Sequence, residues 1–162
     1  MHYLTPFLFA DTPMTIDLRP ACSDDYTFAL NLYLKAIKPL AIAWMEWVDQ
    51  DQEAQFASLW RPDDTRIITL DGREAIGWVE FRPTGDELFL KQLYISPAHQ
   101  RRGIGSQVMQ RLMEERRGTA QSMALFVLKN NPAFRCYERH GFGLVRETPM
   151  KFVMRRAMAE AA

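Results

Sequence analysis

The chain alternates between two hydrophobic rhythms, and the changes of rhythm mark its elements. In "TIDLRPA" the apolar Ile16 and Leu18 alternate with polar positions, as in a strand buried on one face. Phe28, Leu32 and Ala36 then recur at helical spacing. Ser23 suits the N-cap ahead of them, with Asp24 and Asp25 in the first turn. Pro39 is expected to interrupt this helix, and a second one is expected over about 40–60, carrying Trp44, Trp47, Val48, Phe56 and Leu59. In "TRIITLDGREAIGWVEF", 67–70, an Asp71-Gly72 turn and 76–81 read as a hairpin. "ELFLKQLYI", after the turn "PTGD", is a further strand.

Helical spacing returns with Ile104, Val108 and Leu112, in a helix that starts at Gly103 and ends near Gly118. "SMALFVL" is almost continuously apolar, the pattern of a central strand. "NNPAFRCYERHGF" is a short punctuated helix: Asn131 can cap it, Pro132 fits the first position, and Gly141 fits the exit. "GLVRET" and "KFVMRR" close the chain as two strands. The order is strand, two helices, three strands, helix, strand, helix, two strands. It predicts a single α/β (α+β) domain over 14–156 with a mixed, mainly antiparallel sheet, leaving 1–13 as an extension and 157–162 as a tail.

Composition narrows the function. The 162 residues are 48% hydrophobic and 25% charged, enough for one well-buried core. Lys and Arg number 20, as do Asp and Glu, so no overall field attracts nucleic acid or an anionic membrane. Cys22 and Cys136 lie far apart, outside any metal-ligand spacing, and are expected to be free, small buried hydrophobes in a reducing, cytoplasmic setting. The opening "MHYLTPFLFADTPM" lacks a basic leader region and a small-residue cleavage site, so no secretory leader is expected.

The densest chemistry lies in "HQRRGIGSQ". First-turn N–H groups of a helix have no intrahelical acceptor, and the helix dipole favours negative charge there. Gly103 and Gly105 leave this backbone uncovered, while Arg101 and Arg102 add forked cationic donors. A phosphate fits such a place. A mononucleotide P-loop is excluded because no Lys-Ser/Thr pair follows Gly105. A dinucleotide fingerprint is excluded too, because its third glycine would fall at Val108 and "SPAHQRR" is too long for its tight turn.

The run Gln100-Arg101-Arg102-Gly103-Ile104-Gly105, following "LYISP", resembles the Q/R-x-x-G-x-G/A signature of the GNAT superfamily of acetyl-CoA-dependent N-acetyltransferases. The resemblance spans 14–156 in element order. It is most specific in "LYISPAHQRRGIG" and "FVLKNNPAFRCYERHGF". It implies a GNAT fold of about seven strands and four helices, with acetyl-CoA as acetyl donor and no metal. It also implies that Gln100, Arg101, Arg102, Gly103, Ile104, Gly105 and Ser106 hold the cofactor pyrophosphate. Leu93, Tyr94 and Ile95 would line the pantetheine arm with strand backbone, and Asn131 and Phe134 would meet it from the other side. The strand before the loop and the strand before the last helix typically splay apart in this family to admit that arm.

Tyr137 matches the tyrosine that the family commonly places near the thioester sulfur. A phenol is protonated at neutral pH and can act as general acid. Its ring could instead simply pack on Phe134, three residues earlier. The resemblance places the oxyanion donor in the backbone of "QLYI". Many members carry a glutamate eleven positions before the loop glutamine, where this chain has Phe89. Glu87 and Glu80 are the nearest carboxylates and the candidate bases, either acting through an ordered water; both could instead be surface carboxylates, with the amine losing its proton to solvent. His99 and His140 are expected to be structural, and no base stands close enough to Cys136 to suggest a covalent route. An aromatic and acidic stretch, "IAWMEWVDQDQE", could face a cationic amine, although tryptophans in the core and acids on a wet helix face are the commoner arrangement. The expected acceptor is a small-molecule primary amine. The alternatives are a protein or peptide amine, or a non-catalytic acetyl-CoA-binding module. A homodimer is a family habit.

Overall fold

A computed structural model describes residues 15–158. The N-terminal extension and the end of the C-terminal tail lie outside the described residues. Seven strands form one sheet in the order β1-β2-β3-β4-β5-β7-β6. They are β1 (Ile16–Pro20), β2 (Thr65–Leu70), β3 (Glu74–Thr84), β4 (Glu87–Ile95), β5 (Ser122–Leu128), β6 (Gly143–Glu147) and β7 (Lys151–Ala157). The helices are α1 (Tyr26–Ala41), α2 (Asp49–Leu59), α3 (Ile104–Glu115) and α4 (Ala133–Arg139). All neighbouring strands run antiparallel except β4 and β5, which are parallel. The element order is the one the two rhythms predict. β7 extends one residue past the expected domain end, to Ala157.

Two cores flank the sheet. On one face Ile104, Val108, Met109 and Leu112 of α3 bury against Val79, Phe81, Leu88, Leu90, Leu125 and Val127, with Phe134 and Tyr137 of α4 packed at the edge. On the other, Ala29, Leu32, Tyr33 and Phe56 of α1 and α2 close over Ile67 and Trp78. Phe56, Trp60 and Trp78 meet within 5.5–6.0 Å between ring centroids. The Trp78 indole N–H donates to the Ala29 carbonyl at 3.2 Å, so the buried ring leaves no orphaned donor.

The β2–β3 turn forms as expected. Asp71 and Gly72 take φ of 53° and 70°, and the Arg73 N–H closes the turn onto the Leu70 carbonyl. Four expectations are corrected. Pro39 does not break the first helix: it sits in the last turn of α1, where its missing N–H removes a single i→i−4 bond. The break falls later, so α2 begins at Asp49 rather than near residue 40, with Asp49 and Asp51 in its first turn. Trp44 and Val48 therefore lie exposed in the α1–α2 connection, and Trp47 is half-buried there, donating to Asp49 at 2.6 Å. Third, Ser23 is not the cap. Asp25 accepts from the Cys22 N–H at 2.9 Å and from Arg19 at 2.8 Å, and that guanidinium holds its carboxyl down at about 2. Fourth, the cysteines are free but not buried: Cys22 is exposed and Cys136 half-buried.

Candidate active site

β4 and β5 begin side by side and then part. Their parallel pairing runs from Glu87↔Ser122 to Leu90↔Leu125 and stops. β4 continues to Ile95 against β3 alone, and β5 continues to Leu128 against β7 alone. The result is a fork in the sheet, with unpaired backbone on both inner edges. Leu93, Tyr94 and Ile95 lie on one arm, as the family resemblance implies.

The loop leaving β4 approaches this fork from the α3 side. Gly103 takes φ 75° at the N-cap of α3, and a Cβ placed there would meet nothing, so the approach is open. Arg101 takes φ 64°, a rare conformation for a side-chain-bearing residue. Among the described residues the N–H groups of 101–106 find no protein acceptor, and the first bond of the helix is Gln107 N–H to the Gly103 carbonyl. A run of donors without protein acceptors at an open helix start has the geometry that suits an anion. Arg101 and Arg102 stand exposed beside it. Gly105 serves packing instead. A Cβ there would lie 3.8 Å from the Leu93 side chain, an ordinary contact, which places the first turn of α3 directly against β4.

Two of the loop's polar side chains brace the cradle. The Gln100 amide donates to the Ile95 carbonyl at 2.9 Å, fastening the loop to the end of β4. Ser106 Oγ lies 2.7 Å from His140 Nε2, and Arg156 donates to the His140 carbonyl at 2.9 Å. His140 thus joins the start of α3 to the exit of α4, a structural role as expected. The Asn131 carboxamide oxygen accepts from the Ala133 N–H at 2.9 Å, capping α4. Gly141 ends α4 at φ 87°, with the Phe142 N–H reaching back to the Tyr137 carbonyl.

Tyr137 does not stack on Phe134. Its ring meets Phe142 edge-on at 5.8 Å, and Phe134 packs on Phe152 at 4.9 Å. Burial pushes the Tyr137 phenol up to about 12. The phenol therefore keeps its proton across the physiological range.

The two candidate bases have opposite surroundings. Glu87, at the paired start of β4, accepts from Arg155 and from the Ser122 hydroxyl, both at 2.6 Å. Arg155 first, then Ser122, holds its carboxyl below the ordinary range. Glu80 on β3 is only 3% exposed and lies across from Gln92, just beyond the fork. The Gln92 amide donates to Glu80 Oε1 at 2.8 Å, and Lys91 Nζ lies 3.7 Å from Oε2. The Tyr94 hydroxyl donates to Gln92 Oε1 at 3.1 Å. Burial drives the Tyr94 phenol far upward, and Tyr33, Tyr137 and Glu80 add to the push. Glu80, Gln92 and Tyr94 therefore form one hydrogen-bonded chain, while Tyr137 packs with the α3-side core.

Lys91 was not among the residues read as functional. It is the extra residue of a β-bulge, where Glu80↔Gln92 is followed by Phe81↔Leu90. The bulge lets consecutive residues Lys91 and Gln92 both reach Glu80. The sequence does carry the signal: apolar Leu88 and Leu90 give way, across the polar pair, to Leu93 and Ile95, shifting the alternation by one.

The model of the acetyltransferase (GNAT) family matches residues 29–142. The chain belongs to that family. A search of the curated proteins found no match. Among solved structures, a Thermus thermophilus acetyltransferase superposes with a TM-score of 0.70 at 22% identity, covering 88% of this chain and 97% of that one. An N-acetyltransferase from Thermoplasma acidophilum, in complex with coenzyme A, superposes at 0.71 with 16% identity, covering 89% and 99%. The Escherichia coli ribosomal-protein-S18-alanine N-acetyltransferase gives 0.65 at 20% identity, covering 91% and 97%. These likenesses establish the GNAT fold: an open seven-stranded mixed sheet with four helices. Among the described residues no helix is long and apolar enough to cross a membrane.

Proposed function

We propose that this GNAT protein transfers the acetyl group of acetyl-CoA to a primary amine of a small molecule. The observation that carries the reading is the run of acceptor-free N–H groups over 101–106, opening beside the unpaired inner edge of β4. The same chain thus supplies a pyrophosphate cradle and a groove for an extended, amide-bearing arm. Arg101 and Arg102 add charge at the mouth, and Asn131 and Phe134 border the β5 side. Acetyl-CoA, when bound, supplies an acetyl group activated on sulfur.

The remaining chemistry belongs to side chains. Glu80 takes a proton from the attacking amine nitrogen, directly or through one water. Its burial and the Gln92 donor fix its direction, while Lys91 stays near enough to balance its charge. Tyr137 holds a proton on its phenol oxygen for the departing sulfur. Backbone N–H groups in "QLYI" serve the oxyanion, as in the family resemblance. Glu87 is set aside as base, because Arg155 and Ser122 already occupy its oxygens.

Calorimetric titration with acetyl-CoA tests the reading, repeated with Gly103→Glu, which places a negative charge in the cradle. Saturable binding that the substitution abolishes supports it; no binding by folded wild type rejects it. One observation favours a second reading, a peptide acceptor: Ile42, Trp44, Met45 and Val48 form an exposed apolar connection. Acetylation of peptide N-termini with free amines left untouched would select that alternative.

A further inference from the structure

On the sheet face opposite α3 lies a cleft of about 450 Å³, lined by Phe126, Arg146, Thr148, Pro149, Met150 and Lys151. Its position is defined by the fork. Phe126 is the first β5 residue after the last β4 pair, and its neighbours Leu125 and Val127 point into the α3 core. Its own ring therefore faces the other side, 41% exposed, where it meets Phe89 of β4 at 4.9 Å. The cradle opens on one face of the fork and this cleft on the other.

The walls are apolar, with Phe126, Pro149 and Met150 prominent, and the fixed charges are all of one sign. Lys151 lies 5.5 Å above the Phe126 ring. Among the described residues neither Lys151 nor Arg146 has a carboxylate partner. Glu147, next to Arg146 in the chain, is already paired with Lys129 at 3.5 Å. A polycation would find no counter-charge on these walls. An anion beside an apolar group would find two cations and an aromatic surface.

We propose that this cleft selects the acceptor, and that the acceptor is an amine carrying a carboxylate and an apolar side group, the chemistry of a free apolar amino acid. The proposal rests on the acetyltransferase reading above. Arg146 and Lys151 take the carboxylate, Phe126 and Met150 the side group, and the amine is left on the β5 side of the cleft, where the fork opens.

The test compares two matched products by calorimetry on the coenzyme-A-loaded protein: N-acetyl-L-phenylalanine and N-acetylphenethylamine, which differ by the carboxylate. The carboxylated compound is expected to bind at least about tenfold more tightly. Arg146→Gln with Lys151→Gln, both exposed positions, should erase that preference while acetyl-CoA affinity stays unchanged. Equal binding of the two compounds, binding of neither, or a preference that survives the double substitution overturns the proposal. So does acetyl transfer to spermidine at a kcat/KM above that for phenylalanine. Failure of wild type to bind acetyl-CoA would instead reject the acetyltransferase reading itself, so the two failures are told apart by a separate titration.

Discussion

β4 is two strands in one. Its first half, from Glu87 to Leu90, is hydrogen-bonded on both sides and carries a carboxylate locked by Arg155 and Ser122. Its second half, from the bulge at Lys91 to Ile95, is bonded on one side only and faces a buried carboxylate held by a neutral amide. Backbone satisfied on both sides can only support, whereas backbone left open can bind. The difference also sorts the acids. The Glu87 carboxyl is engaged by a guanidinium and a hydroxyl, whereas that of Glu80 receives a neutral amide on one oxygen and a lysine 3.7 Å from the other.

This contrast can be broken at its strong end first. Glu80→Gln preserves shape but cannot take a proton, so kcat should fall by about 10²–10³ while acetyl-CoA affinity, measured by titration, is unchanged. An equal loss from Glu87→Gln would abolish the distinction between the two halves. Next, Tyr137→Phe should lower kcat by about 10–100-fold, with the melting temperature nearly unaltered because the ring still packs on Phe142. The pH profile sharpens this point. With the phenol at about 12, no alkaline fall in rate from Tyr137 is expected below about pH 11. The stability gained by burying the neutral phenol is complete below about pH 10, its unfolded value, and is lost as pH climbs toward about 12. An alkaline limb near pH 9 that vanishes in the Phe variant would contradict this environment.

The smallest effect is expected at the supporting end. Glu87→Gln should leave kcat within about twofold and cost about 0.5–1 kcal/mol in a denaturant titration, since Arg155 is partly exposed. Its depressed carboxyl adds stability at neutral pH that disappears as pH falls through the folded value.

The division of β4 also explains what could be read from the residues. Element order was legible because periods of two and near four are local properties, visible in "TIDLRPA" or Ile104–Val108–Leu112 without knowing any partner. Punctuation by Asp71-Gly72, Gly103 and Gly141 was legible for the same reason, each demanding positive φ. Pro39 misled because a proline's penalty is confined to one bond, and a last helical turn absorbs it. Pairing is a relation between distant segments, so the fork came only through family resemblance. "SMALFVL" reads as wholly buried, yet Phe126 is half in solvent because the neighbour that would cover it has diverged. Glu80 and Glu87 looked equivalent in the sequence, since the partners that separate them, Gln92 and Arg155, are fixed by register.

The short ladder between β4 and β5 has a consequence for how the molecule opens. The parallel ladder from Glu87↔Ser122 to Leu90↔Leu125 is the strand pairing that joins β1–β4 to β5–β7, with the bonds of Glu87 to Ser122 and Arg155 beside it and the α3 core backing one face. This short parallel ladder lies along the line where the reactants are proposed to meet. One hydrophobic cluster nevertheless runs through both halves, from Ile16 and Val79 to Leu125 and Met154, so amide exchange along the short ladder reads how firmly that shared core holds it closed. A ligand lying between the strands is expected to slow that exchange, which makes it a readout of occupancy.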